Sequence, residues 1–326
     1  MAHAVQISQT GGPDVLSWVE VAVGPPKSGE VRLRQTAIGL NYIDVYHREG
    51  LYPIASLPAA IGMEAAGVIV DVGADVDGLE VGDRVAYADV LGSYAEERCV
   101  PAGRVVKLPD SIDDQTAAAM MLQGLTAQYL LRRTFSVGPS TTMLFHAAAG
   151  GVGLIACQWA RHLGATIIGT VGSEEKAKLA KENGCTHTIN YRDEDFVARV
   201  KELTDGRGCD VVYDSIGKDT YPASLDCLKP RGLWVSYGNA SGAVEAFNIG
   251  VLAQKGSLFA TRPTLMTYIS ERQDLEAATQ ELFDVVEKGH VKISVNQTYA
   301  LSDVATAHRD LEARQTTGST VLTTQS

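Results

Sequence analysis

Up to about residue 120 the chain alternates short apolar runs with glycine turns, over Glu30 to Ala37, Ala66 to Val72, Asp83 to Ala88 and Ser93 to Val100. Runs of that length predict short strands and a β-rich first domain. At about Leu122 the period changes, and apolar stretches of strand length begin to alternate with longer segments of helical spacing. The strands predicted there are Thr142 to His146, Thr166 to Val171, His187 to Asn190, Asp210 to Ser215, Leu233 to Tyr237 and Ser257 to Thr261. Helices are predicted over Val152 to Leu163, Glu174 to Asn183, Phe196 to Thr204 and Tyr221 to Leu228. Alternation of this kind is the signature of βαβ units in a doubly wound parallel sheet, so the fold class is α/β with two domains. Past Pro263 the pattern becomes one long helix, Glu271 to Glu287, followed by short strands ending in Thr320 to Thr323. This tail is expected to rejoin the first domain. Residues 1–121 plus 265–326 are therefore assigned to one domain and 122–264 to the other.

Composition narrows the function classes. A net charge of −11 opposes binding to nucleic-acid phosphates or an anionic membrane surface, so neither partner is expected. No apolar run approaches the roughly 20 residues that span a bilayer. The opening MAHAVQISQTGG has neither the basic nor the apolar region of a secretory signal, and a cytoplasmic location is expected. The five cysteines (Cys99, Cys157, Cys185, Cys209 and Cys227) are scattered and form no CxxC pair, which predicts reduced thiols rather than a disulfide framework or cysteine-rich metal site.

The sharpest chemical signal runs from Met143 through Ala147-Ala148-Ala149-Gly150-Gly151-Val152-Gly153, an apolar strand entering a glycine turn and then an amphipathic helix. Gly150 and Gly151 let the backbone approach a pyrophosphate, Gly153 permits close helix packing, and the new helix offers N–H donors and its positive dipole end. Ala148 stands where a GxGxxG fingerprint has its first glycine. NAD sites place an acidic residue about 20 residues on, to take the ribose 2′-hydroxyl. Here the second strand is followed by Gly172-Ser173, and Glu174 and Glu175 begin the next helix. Small residues leave room for a 2′-phosphate, which Ser173 and Lys176 could bind by hydrogen bond and charge, so NADPH is the expected cofactor. An ordinary solvated helix charge is the other reading of Lys176.

Several segments together resemble the zinc-free quinone oxidoreductase branch, zeta-crystallin-like, of the medium-chain dehydrogenase/reductase superfamily, over nearly the whole chain. They are Gly11-Gly12-Pro13-Asp14-Val15-Leu16, Asn41-Tyr42-Ile43-Asp44-Val45-Tyr46, Gly50-Leu51-Tyr52-Pro53, Glu64-Ala65-Ala66-Gly67, Val81-Gly82-Asp83-Arg84-Val85, Leu125-Thr126-Ala127 and the glycine turn. The resemblance implies a GroES-like catalytic domain beside a Rossmann domain, with a substrate cleft between them. It also implies an NADPH:quinone reductase acting as a homodimer. Zinc-dependent relatives hold their metal with a cysteine in the stretch matching Gly39 to Asp44 and a histidine in a Gly-His-Glu. This chain reads Gly39-Leu40-Asn41-Tyr42-Ile43-Asp44 and Gly62-Met63-Glu64, without the thiolate or the imidazole, so no metal is expected.

By resemblance, Asn41, Asp44 and Tyr46 line the nicotinamide end, with Tyr52 and Arg262 near a substrate oxygen and Thr126 among the cofactor contacts. Tyr46 or Tyr52 could donate to a developing oxyanion and Arg262 could stabilise its charge, with solvent as the alternative proton source. Aromatic wall packing is the plain reading of each tyrosine, and a local turn role that of Asn41. The resemblance further implies cofactor contacts at Tyr191, Ser215 and Tyr237-Gly238-Asn239, after the third, fourth and fifth strands, and their place at the carboxyl ends where ligands of open sheets gather supports the carry-over; strand-end capping is the alternative. His146, inside the first strand, reads as a buried, satisfied histidine. A quinone or enone spreads charge over its own conjugation, which suits a site without a Lewis acid. The rival readings are a zinc-free 2-alkenal or enone reductase, and a low-turnover NADPH- or RNA-binding protein.

Overall fold

The structure is a computed structural model and describes residues 1–324. It divides into two compact units: Met1–Leu125 with Ile269–Phe283 and the chain from Ile293 onward, and Thr126–Tyr268 with Asp284–Lys292.

The first unit is built on a seven-stranded sheet whose longest strand is Glu30–Leu40. Along its first half Val31, Leu33 and Gln35 point inward while their neighbours are more exposed, the period-2 pattern of a strand with one wet face. From Ala37 every residue is buried, because the Asp114–Ala118 helix packs against the strand, so closely that a Cβ on Gly39 would lie 2.2 Å from Ala118 O, while Ser319–Thr323 and Glu64–Val72 pair along its two edges. The core gathers Ile7, Leu33, Ile38, Ile61, Ile69, Val85, Tyr87 and Tyr94, joined from the tail by Leu301, Val304 and Leu322.

The second unit carries a six-stranded parallel sheet of Thr142–Phe145, Thr166–Val171, His187–Asn190, Cys209–Asp214, Leu228–Ser236 and Phe259–Thr261. Its spatial order is third, second, first, fourth, fifth, sixth, so the strand order reverses beside the first strand. Strands buried on both faces read as continuous apolar runs, which is why the sequence pattern locates them closely. Leu228–Ser236 is longer than the pattern suggests. Its first half contains Pro230, Arg231 and Gly232, a turn-like composition that a register irregularity opposite Cys209 to Val211 accommodates, with Arg231 at φ 63°. The helix expected from Tyr221 begins only at Ala223, since a residue before proline is disfavoured in helical conformation and Pro222 lacks an N–H. Likewise the strand expected from Ser93 begins at Glu97, because the preceding backbone is bonded elsewhere: Tyr94 N donates to Ile61 O and Ser93 O accepts from Gln35 Nε2.

Candidate functional site

In the second unit the first strand ends at Phe145 and the chain turns through Ala147, at φ 56°, with Gly150 N donating to Ala147 O at 2.9 Å. The Gly151–His162 helix starts there with no side chain capping it, so its first-turn amides point outward as anion donors. Gly153 is sterically required: a Cβ would lie 2.5 Å from Ala147 O and 2.7 Å from Ala148 O. Ala148 in place of the first glycine is accommodated from the neighbouring strand, where a Cβ on Gly169 would come within 2.6 Å of the Ala148 methyl.

At the end of the second strand, Gly172 and Tyr191 meet: a Cβ on Gly172 would sit 2.8 Å from the Tyr191 hydroxyl. Ser173 is the N-cap of the Glu174–Glu182 helix, its Oγ accepting from Lys176 N at 3.3 Å. Lys176 is half-buried one turn into that helix. Gly172, Ser173, Lys176 and Tyr191 therefore form one neighbourhood.

The loops after the fourth and fifth strands are locked to each other. Ala240 N donates to Ser215 O, Ser241 N to Ile216 O, and a Cβ on Gly238 would lie 2.6 Å from Ser215 O. Tyr237 N donates to Asp214 O, so Ser215, Tyr237, Gly238 and Asn239 are held side by side. Their anchor is Asp214, fully buried, which sequence reasoning passed over. Its Oδ1 accepts from Ile216 N (2.9 Å), Gly217 N (3.1 Å) and Thr220 Oγ1 (2.9 Å), and its Oδ2 from Ser224 Oγ (2.8 Å) and Trp234 Nε1 (3.3 Å). Burial works to raise this carboxyl, but His146 and these hydrogen bonds outweigh it and hold it below the ordinary value. His146 is buried, with Nδ1 at 2.9 Å from Thr170 Oγ1 and Nε2 at 3.0 Å from Ser224 Oγ, a satisfied interior histidine. Arg262 is exposed just past the sixth strand, its Nη1 donating to Pro263 O, and Thr126 is half-buried at the start of this unit.

In the first unit Asn41 closes the end of the long strand and precedes the Tyr42–Glu49 helix as its N-cap. Asp44, three residues on, accepts from Asn41 N at 2.9 Å, the returning half of a capping box. Both residues are buried, Asp44 completely. Tyr46 and Tyr52 pack edge to face, ring centres 5.2 Å apart, and Tyr52 N donates to Tyr46 O. Asn41, Asp44, Tyr46 and Tyr52 thus come together on one short helix and the turn after it. Met63 is buried, and among the described residues no cluster of three or more His, Cys, Asp or Glu could hold a metal ion.

Behind Asn41 runs a buried polar chain that no local pattern announces. Tyr94 Oη donates to Asp44 Oδ2 at 2.9 Å and lies 3.0 Å from His308 Nε2. Arg48 Nη1 donates to His308 Nδ1 at 2.8 Å and to Glu312, and Arg48 Nε donates to Gly11 O. Gly62, at φ 93°, makes room for it, since a Cβ would lie 2.3 Å from the Tyr94 ring. Burial raises the Asp44 carboxyl to about 7, against the hydrogen bonds from Asn41 and Tyr94, and raises Glu64 to about 8. Arg48 and His308 are 260 positions apart in the chain, so only the fold brings them together.

Two family models match the sequence: an alcohol dehydrogenase GroES-like domain over residues 27–110 and a zinc-binding dehydrogenase over residues 151–284. A quinone oxidoreductase of Pseudomonas aeruginosa is 54% identical, across 99% of either chain. A 2-haloacrylate reductase of a Burkholderia species is 49% identical, across 100% of both. Among solved structures, quinone oxidoreductase of Escherichia coli in complex with NADPH superimposes with a TM-score of 0.97 at 49% identity, covering 98% of this chain and 99% of that one.

Proposed function

This chain belongs to the quinone oxidoreductase family of medium-chain dehydrogenases/reductases, and from that premise we propose that it reduces a quinone at the expense of NADPH without a metal ion. The observation that carries the reading is a nucleotide-type glycine turn in a chain whose Gly39–Asp44 and Gly62–Glu64 stretches hold no thiolate or imidazole. The turn fits a dinucleotide: the helix start is uncapped, and Gly153 allows backbone approach where any side chain would collide. When bound, NADPH supplies the hydride.

In this proposal Gly150 to Gly153 hold the pyrophosphate, and Gly172, Ser173, Lys176 and Tyr191 hold the adenosine end with its 2′-phosphate. The linked loops carrying Ser215 and Tyr237-Gly238-Asn239, with Thr126, orient the rest of the cofactor. Asn41 and Tyr46 face the nicotinamide. Asp44, being fully buried, acts by fixing the backbone of Asn41 rather than by touching ligand. Tyr46 or Tyr52, packed edge to face, donates a hydrogen bond to the oxygen that gains charge, and exposed Arg262 adds a cation for the acceptor. Family membership supports a homodimer and a cytoplasmic location. No described helix is long and apolar enough to cross a membrane.

The second reading, reduction of an activated alkene, is favoured by the full-length similarity to the 2-haloacrylate reductase. Acceptor profiling separates the two. Steady NADPH oxidation with simple quinones, and little with 2-alkenals or 2-haloacrylates, supports quinone reduction, and the reverse pattern replaces it with the second reading.

A further inference from the structure

Glu64 lies opposite Gly39 in the sheet and is fully buried. Gly39 leaves the space for it, since a Cβ there would come within 2.2 Å of Glu64 Oε1 and of Ala118 O. Glu64 Oε2 accepts from Leu122 N at 2.6 Å, and Oε1 lies 2.5 Å from the Asn41 amide. The other end of that amide is 3.0 Å from the Gln123 amide, whose far end is 2.6 Å from Ser319 Oγ. Ser319 Oγ is in turn 2.8 Å from Ala119 O. All five contacts stay within the first unit.

Which end of an amide is nitrogen follows only from its partners, so the chain can be tested for consistency. With Glu64 ionised, Asn41 must donate to it, Asn41 O must then accept from Gln123, and Gln123 O must face Ser319. The single Ser319 proton then confronts two acceptors, Gln123 O and Ala119 O. With Glu64 neutral, its hydroxyl donates to Asn41 O, Asn41 N–H to Gln123 O, Gln123 N–H to Ser319 Oγ, and Ser319 O–H to Ala119 O. Every contact within this chain now has one donor and one acceptor, with the Asn41 NH2 in place of its oxygen turned toward Asp44 N.

We propose that Glu64 is a neutral carboxylic acid at neutral pH and is the positioning residue that sets which end of the Asn41 amide donates. The proposal rests on the reading above that Asn41 faces the ligand. Burial favours the neutral form, raising Glu64 to about 8, with the Asn41 and Leu122 hydrogen bonds opposing and the Asp44 charge adding to the rise. Tyr87 and Tyr94 are near enough to interact electrostatically with this carboxyl, and both are phenols raised by burial and the Glu64 charge, so neither adds a charge beside it at neutral pH. Ionisation of Glu64 reverses the chain and turns the Asn41 amide over.

Wild-type protein carrying 13C-carboxyl-labelled glutamate, free of cofactor, tests this by NMR. One glutamate resonance is expected to titrate near pH 8 and to be missing from Glu64→Gln, whose amide can donate to Asn41 and accept from Leu122 as the neutral acid does. Turnover should fall above that pH in wild type and not in Glu64→Gln. If every labelled glutamate titrates below about pH 6, the proposal is overturned, whether or not the variant folds. A resonance near pH 8 combined with wild-type turnover in Asn41→Ala upholds the neutral acid and overturns its positioning role, by removing Asn41 from the ligand.

Discussion

Replacing Asp214 by Asn is the most informative single change to the second unit. The side chain keeps its shape, and the Oδ1 contacts to Ile216 N, Gly217 N and Thr220 Oγ1 survive. At the Oδ2 position an NH2 group now faces Trp234 Nε1 and Ser224 Oγ. Ser224 can rotate to accept, but the Trp234 N–H is left buried against another donor, and the charge-assisted character of the remaining bonds is lost. An orphaned buried donor costs about 1–3 kcal/mol, and weakening bonds to a charge adds a comparable amount, so a loss of about 3 kcal/mol is expected. That is a large share of a stability of roughly 5–15 kcal/mol. Urea unfolding followed by tryptophan fluorescence, with Trp159 and Trp234 both in this unit, measures it. The pH dependence carries a sign. Because the folded carboxyl is held below its ordinary value, its contribution is present above about pH 3.9 and is lost as pH falls through the lower folded value. The difference between wild type and variant should therefore shrink on acidification. A variant within about 0.5 kcal/mol of wild type at pH 7, or a difference unchanged down to pH 3, refutes the assigned role of Asp214.

Two further changes probe the nucleotide turn and the cofactor choice. Gly153→Ala puts a methyl 2.5 Å from Ala147 O, and should cost about 1–3 kcal/mol of stability and lower NADPH affinity at least tenfold in a fluorescence titration. Lys176→Glu should weaken NADPH by about tenfold and leave NADH within about threefold, by reversing charge beside a 2′-phosphate; equal effects on both would remove Lys176 from the site.

The parallel sheet was legible because its strands are buried on both faces and separated by amphipathic helices, so both periods stand out. Where it blurred, as at Leu228 to Gly232, turn-forming residues sit inside a strand whose register irregularity takes them up. The glycine turn was legible for a different reason: at Gly153 any Cβ would collide with Ala147 O, so the requirement there is written in residue identity. The polar groups behind the candidate site were not. Asp214 is a hub for donors spread from Ile216 to Trp234, and the Asp44, Tyr94, His308 and Arg48 chain joins segments far apart in sequence. Burial and partner geometry identify such residues, and neither has a period. Asn41 was visible as a candidate, whereas the engagement of its amide by Glu64 and Gln123 required the fold.

The most direct test of the central claim is a stoichiometry. Chelator-treated protein is mixed anaerobically with NADPH and a simple quinone, and nicotinamide oxidation and hydroquinone formation are followed together. One hydroquinone per NADPH consumed, at a rate that neither the chelator nor added zinc changes, is the predicted result. Activity that appears only on adding zinc, or NADPH that binds without being consumed, would contradict it.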